Sequence, residues 1–367
     1  MGRTTRQVKL GSVLVGGGAP VSVQTMCNVD PHDAKACLAQ LKSCAALGCE
    51  IFRMTVPDLE AAKVLGEVRR SSPIPFVADI HFDYRCALAA IEAGTDALRL
   101  NPGNIGGRDR VQAVARAAKQ KGVPIRIGVN GGSLEKDLLS QVGTVPRPHL
   151  LCESALRHLK LLEDEGFRDV VISAKASSVP DTLAVYRELA ERTDCPLHLG
   201  VTEAGTLIPG TVRSSVALGI LLAEGIGDTI RVSLTSKPEK EVKVGLEILR
   251  SLGLRTPGPA ITSCPTCGRT KVELFRVASQ VEDALETLYR DRDNGLSNPS
   301  NLSNVSNFPR VAVMGCVVNG PGEAKGADVA LCGGDGEFLL FVRGELVCRV
   351  SEEDAVRKVV EHVVSLQ

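Results

Sequence analysis

The stretch Phe76-Val-Ala-Asp-Ile-His-Phe-Asp-Tyr-Arg-Cys-Ala-Leu-Ala-Ala-Ile-Glu-Ala-Gly-Thr-Asp-Ala-Leu-Arg-Leu100 decides the fold. Its ends are short apolar runs, Phe76–Ile80 and Ala97–Leu100, and between them lies a segment of helical length over 83–93 that opens on the cap-forming Asp83. Strand, helix and strand in so short a space make a βα unit. The rhythm continues outward in both directions. Strands are expected at Val21–Met26, Ile51–Val56, Ile125–Val129, Val170–Ala174, Leu197–Val201 and Thr229–Leu234, with helices near 33–47, 58–70, 107–121, 150–165, 180–192, 211–223 and 236–252. Eight such units in about 250 residues are the count of an α/β fold of the (β/α)8 TIM-barrel type. A doubly wound sheet is the competing arrangement. Ahead of the first strand, Val8–Val15 and the turn Gly16-Gly-Gly18 read as a hairpin closing the barrel floor.

The rhythm stops at Arg255-Thr-Pro-Gly-Pro-Ala260, a Pro/Gly-rich joint of the kind that separates domains. The chain is therefore divided into 1–255 and a smaller mixed α/β domain over 256–367. That domain is expected to hold a helix near 271–290, strands Arg310–Met314, Asp328–Leu331, Glu337–Val342 and Glu345–Val350, and a helix Ser351–Leu366. The Asn/Ser tract over 294–307 reads as a flexible loop without chemistry.

Lys and Arg number 43 and Asp and Glu 43, so the diffuse basic footprint of a nucleic-acid or membrane-surface binder is absent. The longest apolar run, Val216–Ala223, is too short to span a bilayer. The polar start lacks a secretory core, and position 6 lacks the Ser or Thr of a myristoylation signal, so the protein is expected in the cytoplasm. The 12 cysteines then read as reduced thiols, with Cys37, Cys44, Cys49, Cys86, Cys152 and Cys195 as buried hydrophobes.

Reactive groups of such barrels sit at the strand ends. Here those ends carry Arg53; Asp79 and His81; Arg99 and Asn101; Arg126 and Asn130; Ser173 and Lys175; Glu203; and Arg231 with Ser233. Five of them are cations, and Asp79 and Glu203 cannot neutralise five. Unpaired cations inside a barrel are costly, so an anionic ligand with about two phosphates is expected, guanidinium forks being matched to phosphate oxygens. Gly103, Gly106, Gly107, Gly131 and Gly132 could add backbone N–H groups. A network of structural salt bridges is the alternative. His81 is assigned to the ligand; His32, His149, His158, His198 and His362 form no metal-spaced cluster and are left structural.

The second domain holds Ser263-Cys-Pro-Thr-Cys-Gly268 and, about fifty residues on, Met314-Gly-Cys-Val-Val-Asn-Gly-Pro-Gly-Glu323. Cys264 and Cys267 can reach one centre from a tight turn, and Cys316 precedes a Gly/Pro-rich loop that offers N–H groups to sulfur. An iron–sulfur cluster suits this set. A zinc ribbon would want a second close pair, and Cys332 and Cys348 stand alone in strands; a redox dithiol is the remaining alternative. With three thiolates, Glu323 is the candidate fourth ligand of a four-iron cluster, a hard carboxylate on a soft site being readily displaced.

The whole constellation resembles the bacterial two-domain 4-hydroxy-3-methylbut-2-enyl diphosphate synthases of the non-mevalonate isoprenoid pathway. The resemblance is carried by Gly315-Cys-Val-Val-Asn-Gly-Pro-Gly-Glu323, Arg99-Leu-Asn-Pro-Gly-Asn104, Ala78-Asp-Ile-His-Phe82 and Gly17-Gly-Ala-Pro-Val-Ser-Val-Gln24. It implies two-electron reduction of 2-C-methyl-D-erythritol 2,4-cyclodiphosphate with ring opening and loss of water, a [4Fe–4S] cluster, and flavodoxin or ferredoxin as electron donor. It also implies that Arg53, His81, Arg99, Arg126, Lys175 and Ser233 hold the diphosphate, that Cys264, Cys267, Cys316 and Glu323 hold the cluster, that Glu203 is the acid, and that Asn319 donates a hydrogen bond beside the cluster. Asp79, Asn101, Asn130 and Arg231 complete the expected substrate site. Two features depart from the family pattern: Cys27 stands where threonine is expected, and the 294–307 tract looks inserted.

The family's head-to-tail homodimer agrees with chain geometry. A helix after a parallel strand returns to the barrel floor, and the dozen or so residues from Leu252 to Cys264 reach at most roughly 40 Å, so they would be nearly taut in climbing to their own mouth. A site shared between subunits is expected. Two other readings compete: a metal-independent barrel lyase or isomerase using Lys175 as a Schiff base beside a structural zinc module, and a non-enzymatic cluster carrier.

Overall fold

The computed structural model describes residues 3–101, 104–132, 134–255, 259, 261–294 and 308–366. They form two compact units, Met1–Arg255 and Thr256–Gln367. In the first, β1 (Val8–Leu10) and β2 (Val13–Val15) make an antiparallel hairpin. Eight parallel strands follow: β3 (Ser22–Met26), β4 (Ile51–Thr55), β5 (Phe76–Asp79), β6 (Ala97–Leu100), β7 (Ile125–Asn130), β8 (Val170–Lys175), β9 (His198–Leu199) and β10 (Thr229–Ile230). Their order is β8-β7-β6-β5-β4-β3-β10-β9, and a parallel bridge from Ile172 to Leu197 joins β8 to β9, so the sheet closes as a TIM barrel.

The helices between them are α1 (Ala34–Ala45), α2 (Leu59–Arg70), α3 (Tyr84–Glu92), α4 (Arg108–Lys121), α5 (Lys136–Leu139), α6 (Arg147–Glu163), α7 (Val179–Arg192), α8 (Leu207–Ala223) and α9 (Pro238–Ser251). Asp33, Asp58 and Asp83 cap α1, α2 and α3 by accepting backbone N–H bonds, each such cap contributing about 1 kcal/mol. The single turn α5 has no counterpart in the sequence pattern. α8 starts four residues earlier than expected, because Pro209 falls in the first turn, where its missing N–H costs nothing. β9 and β10 are shorter than expected, the chain leaving the ladder near Gly200 and Arg231.

Strand register separates two faces. Phe52, Met54, Phe76, Ala78, Leu98, Leu100, Ile127 and Ile172 pack outward against the helices in one apolar cluster. At the bottom of the inward face, Ile51, Val77, Ala97 and Val171 meet Val8, Leu10 and Val15, so the hairpin plugs the floor. The six cysteines read as core are all buried.

In the second unit, β11 (Ile261–Ser263), β12 (Val311–Met314) and β13 (Val329–Gly333) pair in parallel, and β14 (Phe338–Val342) and β15 (Glu345–Val350) continue the sheet antiparallel. α10 (Leu274–Asn294) and α12 (Ala355–Ser365) cover one face, where Val311 and Val313 meet Val277, Val281, Val359 and Val363. Ala312, Met314, Ala330 and Cys332 alternate to the opposite face, under Ala324 of α11 (Gly320–Gly326). β11 and α11 were not legible in the sequence. The segment expected as a Gly/Pro-rich loop after Cys316 is instead this helix, started by Pro321 in its first turn. The Asn/Ser tract beyond Asn294 lies outside the described residues.

Candidate functional site

Above the apolar floor the barrel interior turns polar, because register carries every second residue inward. Met26 pairs with Arg53, Arg53 with Val77, Asp79 with Arg99, Arg99 with Arg126, and Arg126 with Val171. Asp79 lies between two guanidiniums, 3.0 Å from Arg99 Nη1 and 3.5 Å from Arg53 Nε. Burial alone would raise this carboxyl, but Arg53 and Arg99, with His81 and Arg126 behind them, bring it down to about 2. Arg99 also donates to the Gly128 carbonyl at 3.2 Å, and a Cβ at residue 128 would lie 2.1 Å from Arg99 Nε, so only glycine leaves room for the guanidinium. Arg53 Nη2 donates to Met26 Sδ at 2.9 Å.

Arg126 is fully inside, donates through Nη1 to the neutral Gln24, and has Nε and Nη2 without partners. Burial, followed by the fields of Arg53 and Arg99, acts against its charge. Lys175 is half-exposed as a residue, yet desolvation of its ammonium, ahead of Arg53, Arg231, Arg126 and Arg99, pushes its pKa well below the lysine value. Arg231 differs: Glu241 of α9 holds it at 3.1 and 3.2 Å while accepting from the Thr25 hydroxyl and the Leu234 N–H. Five cations thus face two buried acids among the described residues, Asp79 and Glu241. The surplus is centred on Arg126 and Lys175, so salt bridging accounts for part of the cation set and leaves a demand for an anion.

Around these sit the other expected residues. Asn101 is buried, Ser233 is half-buried, and the Asn130 side chain accepts from the Gly132 N–H at 3.1 Å. His81 is exposed. Glu203 is exposed and has φ 52°, a left-handed conformation that a non-glycine residue adopts at a cost of about 1 kcal/mol or more. Gly103 lies outside the described residues. Two interior groups escaped the sequence reading, Gln24 and Glu241; a third, His198, was left structural there. His198 is wholly buried with Nδ1 3.4 Å from Thr229 Oγ1, and burial plus Arg126, Lys175, Arg53 and Arg231 keep its imidazole neutral. Period-two alternation through Leu197-His-Leu199 places it in the interior; the partner role of Glu241, on the helix that follows β10, had no local signal. The expectation that no histidine joins a cluster also needs correction, since His149 meets Glu153 and Glu188 on the surface, where Arg192 already pairs with both carboxylates.

In the second unit the parallel pairing of Ser263 with Val313 places Cys264 beside Met314-Gly315, and the Gly315 N–H donates to Cys264 Sγ at 3.2 Å. Thr266, between the two cysteines of the turn, has φ 65°. Arg269 Nε donates to Cys267 Sγ at 3.4 Å and lowers that thiol's pKa. The N–H groups of Asn319 and Val318, with Arg269 behind them, lower that of Cys316. Backbone donors and a guanidinium aimed at sulfur favour thiolates, so these residues fit a thiolate-bound metal centre. Glu323 is exposed in the first turn of α11, one turn from Asn319, whose carbonyl accepts its N–H at 3.2 Å. Cys332 lies behind this surface with its thiol pushed up to about 12 by burial, and Cys348 sits on β15.

A TIM barrel whose interior demands an anion, carried on one chain with a separate thiolate centre, defines a two-unit class of barrel enzyme. Within that class the chain belongs to the GcpE family: the GcpE TIM-barrel domain matches residues 5–246 and the GcpE protein C-terminal domain residues 260–365. Relatives named 4-hydroxy-3-methylbut-2-en-1-yl diphosphate synthase (flavodoxin) include one from Maridesulfovibrio salexigens, 54% identical over 96% of this chain and 93% of its own. Another, from Geobacter sulfurreducens, is 54% identical over 98% of this chain and 97% of its own. Among solved structures, the dihydropteroate synthase of Yersinia pestis superposes with a TM-score of 0.50 at 13% identity, covering 67% of this chain and 97% of that one, a likeness of fold alone.

Proposed function

We propose that the chain is a flavodoxin-dependent 4-hydroxy-3-methylbut-2-en-1-yl diphosphate synthase that reduces 2-C-methyl-D-erythritol 2,4-cyclodiphosphate. Two electrons and a proton enter, the ring opens at a carbon–oxygen bond, and one oxygen leaves as water. Identity of 54% to enzymes of that name over nearly the whole chain carries the reading. The relatives support it over a barrel lyase with structural zinc. Family membership makes this an iron–sulfur protein, and the finer assignment is a [4Fe–4S] cluster on Cys264, Cys267, Cys316 and Glu323. Such a cluster, when bound, supplies electrons to the substrate singly.

Arg53, Arg99, Arg126, Lys175 and Arg231 hold the two phosphates, with His81, Asn101, Asn130 and Ser233 at their edges. Asp79 contributes by fixing the forks of Arg53 and Arg99 in advance. Glu203 gives a proton to the departing oxygen, and Asn319 donates a hydrogen bond toward the cluster. The protein works in the cytoplasm as a homodimer, one subunit's barrel paired with its partner's cluster unit. An apolar stripe on α8, formed by the exposed Ile208, Val212, Val216 and Ile220 at successive turns, suits a second copy.

The test is anaerobic turnover of the cyclodiphosphate with a chemical reductant by brown, iron-bearing protein. Colourless, zinc-bearing protein that leaves the cyclodiphosphate intact would sink the reading. For the dimer, Arg126→Ala subunits are mixed with Cys316→Ser subunits: recovered activity supports the shared site, and a dead mixture with heterodimers verified overturns it.

A further inference from the structure

Cys27 and Cys37 lie with their sulfurs 3.7 Å apart, Cys27 just past the end of β3 and Cys37 in the first turn of α1. Cys44, Cys86, Cys152 and Cys195 are also buried, but burial pushes their thiols up, as expected of packing groups. Here the contact with Cys37, followed by the Val29 N–H, lowers the Cys27 thiol, while Cys37 is raised by its Cys27 neighbour and by burial. Cys27 keeps 9% of its surface exposed and Cys37 none. Both cysteines are buried, Cys27 at the edge of the core and Cys37 wholly inside it, and their contact is the arrangement of a peroxidatic and a resolving cysteine.

We propose that Cys27 and Cys37 form a reversible redox dithiol that is oxidised by hydrogen peroxide and weakens the phosphate site when it closes. The Cys27 sulfur attacks the peroxide oxygen, one water leaves, and a sulfenic acid forms; the Cys37 sulfur then attacks Cys27, a second water leaves, and the disulfide remains. Two thiols and one peroxide become one disulfide and two waters. Reduction by a dithiol returns both groups. A disulfide needs its sulfurs about 2 Å apart, so closure draws Cys27 toward α1. The Cys27 N–H donates to the Arg53 carbonyl at 2.7 Å, and the preceding residue, Met26, accepts from the Arg53 guanidinium. Moving Cys27 therefore disturbs two contacts of Arg53, whose guanidinium is otherwise held by Asp79.

The existence of the dithiol does not depend on the substrate; its effect on binding rests on the function proposed above. Cluster-bearing protein is titrated anaerobically with hydrogen peroxide, quenched with a thiol-blocking reagent and digested with trypsin. Lys35 separates the two cysteines, so the bond appears as a cross-linked pair of peptides, 10–35 with 36–42. The cross-link is expected before modification of Cys44, Cys86, Cys152 or Cys195, and Cys27→Thr and Cys37→Ser abolish it. Cyclodiphosphate binding, followed by calorimetry, is expected to weaken roughly tenfold in the oxidised protein, to recover with dithiothreitol, and to be indifferent to peroxide in Cys27→Thr. Absence of the cross-link while other buried thiols oxidise overturns the dithiol, and a cross-link with unchanged affinity overturns the switch. If fully reduced protein fails to bind the cyclodiphosphate at all, the substrate assignment fails and the cross-link result stands.

Discussion

The barrel interior and the cysteine centre solve opposite problems. In the barrel, charges are placed on strands, buried, and partly neutralised by Asp79 and Glu241 before any ligand arrives. In the second unit the residues proposed as cluster ligands sit at strand ends, in a turn and at the start of α11, with Cys267 and Glu323 exposed, and the contacts of the cysteines are donors that favour thiolate. An anion site can be built by burial, because fixed cations gain strength out of water. A thiolate centre is built by proximity, because the bound group itself draws the ligands together.

The largest effect should come from the second unit. Cys316→Ser should remove bound iron and all turnover while the far-ultraviolet spectrum and melting of the barrel persist, whereas Cys332→Ser, on a sulfur whose thiol is pushed up by burial, should keep its iron. Equal iron loss in both, measured by colorimetric assay, would break the distinction between ligand and packing sulfur.

In the barrel the contrast predicts a trade. Arg126→Met removes a buried cation with two unpartnered nitrogens, so the melting temperature should hold or rise while the apparent substrate affinity falls by roughly tenfold to a hundredfold. A variant that is both less stable and unchanged in affinity would make Arg126 a structural residue.

Acid should discriminate next. Asp79 has a folded pKa of about 2 against 3.8 when free, so the folded state is favoured above the free value and loses that advantage as pH falls through the folded one. The contribution is about 2 kcal/mol, and in Asp79→Asn the acid limb of a stability-versus-pH curve should flatten. The smallest effect on stability belongs to Glu203. Glu203→Gly should relieve its left-handed backbone and raise stability by about 1 kcal/mol or less, read by denaturant titration, while turnover collapses.

Much of this was legible one residue at a time. Strand–helix alternation gave the barrel, and polar residues in strand ends such as Ala78-Asp-Ile-His81 and Arg126-Ile-Gly-Val-Asn130 announced a lined mouth. The paired motifs around Cys264 and Cys316 announced a second centre. Legibility failed where short segments override their local signal: α11 runs through Gly320-Pro-Gly322, a composition that reads as loop, because Ala324 has a sheet face to cover.

Sequence alone therefore determined the kinds of group present and the face of each strand they occupy, since both follow from composition and a period of two. Only the tertiary structure decided which charges are quenched. Glu241 reaches Arg231 from a helix that follows it in the chain, Gln24 reaches Arg126 across the barrel from a strand far away in sequence, and Cys37 meets Cys27 from the first turn of α1. Electrostatic and sulfur contacts depend on separations of a few ångströms, and those are set by how the elements pack rather than by their order along the chain.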